Sequence, residues 1–129
     1  MTVAYVDSSA LTKLILDEPD SLAMRRWYVE SDHVLCSRIG IVETRRAVAR
    51  GQPDPAHLDV ILRSVEIVEF DADIARQAAL VGPPSLRTLD AIHVASAVRL
   101  GPEVDSFVTY DDRLASAARA VDLPVVSPA

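Results

Sequence analysis

The sequence predicts an α/β domain, a three-layer α/β/α sandwich around a mostly parallel central sheet. Three observations carry this. Short β-rich apolar runs alternate with longer stretches in which apolar residues recur at helical spacing. Strands separated by helices cannot be hairpins and require crossover connections. Sheets built from such crossovers are covered by helices on both faces. The 129 residues, half apolar and a quarter charged, suit one packed domain over 1–129 and are too apolar for a disordered or low-complexity chain.

Each element has a local cause. VAYV at 3–6 is a short apolar run ending at Asp7 and reads as a buried strand. SALTKLILDE follows with Leu11, Leu14 and Ile15 at helical spacing, and Pro19 stops it. A second helix covers 20–30, with Leu22, Met24 and Trp27 turned inward. HVLCS at 33–37 is the next strand, and 39–50 reads as a helix ended by Gly51 with Pro53 beyond. Helices at 55–64 and 72–81 flank a strand at 66–70, EIVEF. Pro83-Pro84 breaks the chain before a helix at 87–100, which Gly101-Pro102 closes. SFVT at 106–109 is a strand, DRLASAARA a helix, and PVVS at 124–127 the last strand.

Composition narrows the function classes. No window approaches eighteen consecutive apolar residues, so no membrane span is expected. MTVAYVDSS has no basic region before an apolar run, so no secretory signal is expected either. The single Cys36 can form no internal disulfide, which makes a reducing cytoplasm the default compartment. A net charge of −6 disfavours binding a polyanion through bulk electrostatics. A nucleic-acid role therefore needs local basic patches or a metal ion. Of the thirteen basic residues only Lys13 is lysine. Arginine is the better bidentate phosphate ligand, although the codon bias of a high-GC genome gives the same composition.

The acids carry the chemistry. Asp7 ends the first strand just before a helix, Asp90 lies in the first turn of the 87–100 helix, and Asp111 follows the fourth strand with Asp112 beside it. Each has a bland explanation: Asp7 and Asp111 or Asp112 as helix caps, Asp90 as an acid favoured by the helix dipole behind a Ser85 or Thr88 cap. Glu43 alone is a surface ion pair with Arg46 or Arg50. Taken together they are harder to dismiss, because a parallel topology places Asp7, Asp90 and Asp111 on one edge of the sheet, where ligands of such folds bind. Converging carboxylates raise one another's pKa unless a cation lies between them, and oxygen-only ligands select hard ions such as Mg²⁺ or Mn²⁺. No zinc spacing, Walker loop, dinucleotide glycine motif or nucleophilic-serine elbow occurs. His93, on an expected buried stripe with Leu89, Ile92, Ser96 and Leu100, reads as a core or supporting histidine, and Cys36 as packing.

At these four places the sequence resembles the PIN-domain family and, within it, the VapC-type toxin ribonucleases of toxin–antitoxin pairs. The resemblance spans the chain, from YVDSSALTKL through VETRRA and LRTLDAIHVASA to TYDDRLASAA and PVVSP. It carries the family's acids to Asp7, Glu43, Asp90 and Asp111, with Asp112 making the last position ambiguous. Asp122 stands where many relatives have glycine before the last strand. The resemblance implies Mg²⁺- or Mn²⁺-dependent endonucleolytic cleavage of RNA. Asp7 and Asp90 are then direct ligands, with Glu43 and Asp111 holding waters or a second metal. Ser9 and Thr109 orient the ligands, and Arg45, Arg46 and Arg87 grip flanking phosphates. It also implies a homodimer and a cognate antitoxin that blocks the acidic pocket. The apolar residues of helix 20–30, Trp27 above all, and the 39–50 helix are the expected partner or dimer surface.

Other acidic α/β domains fit less well. A receiver domain needs paired acids after its first strand and a late lysine, and a haloacid-dehalogenase-type phosphatase needs Asp-x-Asp where this chain has Asp7-Ser8-Ser9. A PIN-like scaffold that binds without catalysis is the remaining alternative, and the presence of all four acids argues against it.

Overall fold

Val3–Val6 forms the middle strand, β1, of a five-stranded parallel sheet in the computed structural model, which describes residues 1–129. The other strands are β2 (His33–Ser37), β3 (Glu66–Val68), β4 (Ser106–Val108) and β5 (Val125–Val126). Their order is β3-β2-β1-β4-β5. The chain thus builds outward from β1 through β2 to β3, then returns to add β4 on the other side of β1. The strand order reverses between β1 and β4, and a crevice opens at such a switch point beyond the carboxyl ends of the strands.

The crossovers are helical. They are α1 (Ser8–Ile15), α2 (Ser21–Val29), α3 (Arg38–Ala49), α4 (Pro55–Ser64), α5 (Ala72–Leu80), α6 (Thr88–Leu100) and α7 (Asp112–Ala120). Side chains alternate across a strand, so each strand feeds two cores. Val6, Val34, Cys36 and Val108 pack against Leu11, Leu14, Met24, Ile41, Val48 and Leu62 of α1–α4. Tyr5, Val68 and Phe107 pack against Ile74, Val94 and Leu114 of α5–α7, with the Tyr5 and Phe107 rings stacked at 5.3 Å between centroids. These two cores are the outer seams of the expected α/β/α sandwich.

Four helices begin on an aspartate that caps them. Asp7, Asp54, Asp71 and Asp111 each accept a backbone N–H of the following first turn. Helix α6 does not. Its N-cap is Arg87, which makes no side-chain cap, so the expected Ser85 or Thr88 cap is absent. Ser85 is spent in the turn closed by the Leu86 N–H on the Pro83 carbonyl, and Thr88 is already the first helical residue. Every residue of α6 from Ala91 to Ala97 is buried, because α5, α7 and α3 pack around it. Leu89, expected on its buried stripe, is about half exposed in the first turn.

The face of α2 differs from expectation. Met24 is fully buried and Trp27 packs against the first core, but Leu22 is 61% exposed. The Ser21 hydroxyl donates to the Leu16 carbonyl and accepts the Glu18 N–H, which pins Ser21 and Met24 to the inside and turns Leu22 about 100° away. Strand β3 stops at Val68 rather than residue 70. Its only neighbour, β2, ends where Ser37 leaves the sheet to cap α3, so Glu69 and Phe70 have no strand to pair with. The outer strand β5 is likewise confined to the two residues facing Phe107 and Val108. Asp122 adopts φ 64° in the turn before β5, a left-handed conformation that aspartate tolerates, so the turn survives without glycine.

Candidate active site at the carboxyl edge of the sheet

Asp7 and Thr109 leave the sheet side by side, from β1 and β4, at the switch point. Asp7 is buried, and every oxygen it carries is engaged. The Ser9 hydroxyl donates to Oδ1 at 2.7 Å, the Ala10 N–H donates to the same oxygen at 3.0 Å, and the Thr109 hydroxyl donates to Oδ2 at 2.7 Å. Burial outweighs these donors and raises the Asp7 pKa. Ser9 and Thr109 are fixed in turn: Ser9 Oγ accepts the Tyr110 N–H at 2.8 Å, and Thr109 Oγ1 accepts the Asp111 N–H at 3.0 Å. The cap reading of Asp7 is therefore correct and incomplete, because one carboxylate serves the helix and the crevice together.

Asp111 also doubles as a cap, its Oδ1 accepting the N–H groups of Arg113 at 2.9 Å and Leu114 at 3.2 Å. Asp90, half-buried in the first turn of α6, has its pKa raised by burial first and then by the charges of Asp111 and Glu43, against lowering by Arg87. Asp111 rather than Asp112 is thus the acid of this pair felt by Asp90. Asp112 lines an adjoining groove with Arg87, Asp90 and Arg113.

Glu43 does not pair with Arg46 or Arg50. Its Oε1 lies 2.6 Å from His93 Nε2, and the carboxylate is a quarter exposed. Arg46 and Arg50 instead line an exposed patch of α3 with Arg45. The reason is rotation: Thr44 and Ile41 are the buried side of α3, so Glu43 comes to the α6 flank and the arginines to solvent. His93 is buried, as expected, and α6 brings its imidazole against the Glu43 carboxylate. Of the three arginines singled out in the sequence, only Arg87 stands beside an acid of the crevice.

Tyr5 escaped the sequence reading. Its hydroxyl lies 2.7 Å from His93 Nδ1 and accepts the Ser37 N–H at 3.2 Å. The signal was present but weak, since Tyr5 shares a face of β1 with Asp7 through the period of two, and His93 follows Asp90 by one helical turn.

The donor set of the crevice is carboxylate and hydroxyl oxygen, the chemistry of a hard divalent ion. No three Asp, Glu, His or Cys side chains converge closely enough to enclose an ion by themselves. Such a donor set suits Mg²⁺, which keeps several waters and is held by one or two carboxylates. Burial raises the pKa of Asp7, and burial together with the Asp111 and Glu43 charges raises that of Asp90, so a cation at this edge would relieve the cost of ionising both.

A parallel sheet that gathers acids at its switch point, supported by hydroxyls, defines an acidic-site α/β protein. The family model of the PIN domain matches residues 4–120, and the chain belongs to that family. Among its relatives, Ribonuclease VapC47 of Mycobacterium tuberculosis is 38% identical over 96% of both chains, and Ribonuclease VapC46 of the same species is 35% identical over 99% of both. Two solved structures share the fold at lower identity. VapC20 of M. tuberculosis, described as a Sarcin-Ricin loop cleaving toxin, superposes with a TM-score of 0.72 at 18% identity, covering 88% of this chain and 94% of its own. A chain of FitAB bound to a DNA fragment gives 0.73 at 17% identity, covering 98% and 95%.

Proposed function

We propose that this chain is a Mg²⁺- or Mn²⁺-dependent endoribonuclease, the toxin of a toxin–antitoxin pair, acting on cellular RNA such as tRNA or rRNA. The observation that carries the reading is Asp7, buried under three donors at the switch point, together with Asp90, whose pKa is raised by burial and by the Asp111 and Glu43 charges. The curated relatives named ribonucleases support the substrate class. Asp7 and Asp90 hold the cation, while Glu43 and Asp111 hold waters or a second ion. The cation supplies Lewis acidity toward the scissile phosphate and eases ionisation of a water near neutral pH. Ser9 and Thr109 keep both Asp7 oxygens oriented, and Asp112 flanks the groove. Arg87 beside Asp90, with Arg45 and Arg46 further along α3, offsets the net charge of −6 where a phosphate chain must run.

The partner is a cognate antitoxin, a reading supported by the fold's likeness to chains of toxin–antitoxin complexes. The chain also pairs as a homodimer. The surface for one of these partners is α2 with α3, where Leu22, Val29 and Val42 are exposed. The Trp27 indole, packed on the core, is only the edge of that surface.

The test is cleavage of purified tRNA and rRNA by antitoxin-free protein, with Mg²⁺ or Mn²⁺ and with excess chelator. Asp7→Asn and Asp90→Asn each remove most activity while the fold persists. Undiminished cleavage in chelator refutes metal dependence. An inert wild type with all four acids intact points to a binding scaffold instead.

A further inference from the structure

We propose that Tyr5 and His93 form a buried positioning pair that holds the Glu43 carboxylate in place through a single imidazole tautomer. The inference rests on the reading of Glu43 as a working acid of the crevice. The Ser37 N–H occupies one lone pair of the Tyr5 oxygen at 3.2 Å, and that oxygen lies 2.7 Å from His93 Nδ1. A phenol carries its proton at neutral pH. With the backbone N–H already donating to it, the phenol directs its own proton at Nδ1. With Nδ1 accepting, the ring's proton sits on Nε2, 2.6 Å from Glu43 Oε1. Each donor in the series Ser37, Tyr5, His93, Glu43 thus has one acceptor, and the carboxylate at the end is the only member that reaches solvent.

A second, independent feature points the same way. Gly40 lies one turn before Glu43 on α3, and a Cβ there would overlap Cys36 Sγ and stand 2.9 Å from His93 Cε1. The backbone of α3 is seated on the imidazole with no room for a side chain. His93 therefore sets the height of α3 above α6 as well as the direction of the Glu43 carboxylate. Because Tyr5 shares its strand face with Asp7, the series also ties the α3 acid to the strand that delivers the β1 acid. Outer partners of this kind, which orient a group by hydrogen bonding its far side, change affinity or activity by about 10–100-fold when removed.

The experiment compares Tyr5→Phe, His93→Leu, His93→Gln and Glu43→Gln with the wild type in two measurements. Long-range proton–nitrogen correlation spectra of histidine-labelled protein read the tautomer directly. The expected result is a protonated Nε2 and a bare Nδ1 on His93 in the wild type, with that preference lost in Tyr5→Phe. Cleavage of a mixture of purified tRNA and rRNA reads the consequence. His93→Leu slows it by about 10–100-fold, and Tyr5→Phe, which keeps the packed ring, slows it less. His93→Gln, whose amide nitrogen falls near the position of Nε2, recovers most of the loss. A proton on Nδ1 overturns the proposal, as does equal impairment of His93→Gln and His93→Leu in folded protein. An inactive Glu43→Gln beside His93→Leu at the wild-type rate overturns this inference alone. A fully active Glu43→Gln overturns the reading of Glu43 as a working acid, and this inference with it.

Discussion

Thr109 at the end of β4 donates its hydroxyl proton to Asp7 Oδ2 at 2.7 Å, so the two strands at the switch point are joined by a side chain as well as by the sheet. Thr109 Oγ1 also accepts the Asp111 N–H, and one threonine therefore places two of the four acids. Removing it separates them. Thr109→Val keeps the shape but leaves the buried Asp7 carboxylate short of a donor, and hydrogen bonds to charged groups contribute roughly 1.5–3 kcal/mol. Urea denaturation at neutral pH is expected to show a loss in that range, and RNA cleavage falls with it. A variant as stable and as active as the wild type contradicts the linkage.

Stability in chelator should respond to pH in an unusual direction for acids. Burial raises the folded-state pKa of Asp7, and burial with the Asp111 and Glu43 charges raises that of Asp90. The native state then holds more protons than the unfolded chain, whose Asp value is about 3.9, so these groups lower stability as pH rises from there through their folded values. The contribution is absent below the unfolded value and constant above the folded ones. Denaturation of the wild type and Asp90→Asn at a series of pH values isolates the Asp90 share. The variant should gain on the wild type as pH rises through the window. A pH-independent difference means the acids are not strained.

Cation binding should reverse that strain. A ligand at ten times its Kd stabilises the native state by about 1.4 kcal/mol, which for a domain of this size is a rise of a few degrees in Tm. Mg²⁺ and Mn²⁺ are expected to produce it in the wild type at neutral pH. Asp90→Asn removes a ligand and a repulsion together, so it should melt higher than the wild type in chelator and respond less to either ion. Melting curves of the wild type that neither ion moves would remove the shared site and leave Asp7 and Asp111 as helix caps alone.

The exposed side of α2 offers a test that leaves the crevice alone. Leu22 and Val29 are seven residues apart, on one helix face, and are 61% and 81% exposed. Leu22→Asp with Val29→Asp should leave the melting temperature and RNA cleavage close to the wild type, since neither side chain is in the core. Antitoxin affinity or self-association, read by calorimetry and by sedimentation, should weaken by at least about tenfold, the equivalent of 1.4 kcal/mol. Unchanged values for both would move the partner surface elsewhere.

Most of the architecture is written in local patterns. Apart from α1, which ends at Ile15 and not at Glu18, the helices fall within a residue or two of their expected spans because caps, prolines and glycines act over one turn. Asp7 and Asp111 could be placed at strand ends because Asp caps the helix that follows a strand. Leu22 misled because an apolar residue on a short helix has two possible faces, and the choice was made by Ser21 bonding a loop outside the helix. Glu43 misled for a related reason. Nearby arginines in sequence suggested an ion pair, whereas its partner lies fifty residues away.

By itself, then, the sequence determined the alternation of strands and helices, the parallel sheet that alternation requires, and which acids stand at element ends. Those features follow from period, capping and turn chemistry, whose range is a few residues. Only the tertiary structure decided that β4 returns beside β1, that Thr109 meets Asp7 there, and that Tyr5 and His93 stand behind Glu43. These depend on which surfaces bury one another across the whole chain, and no local spacing encodes the partner.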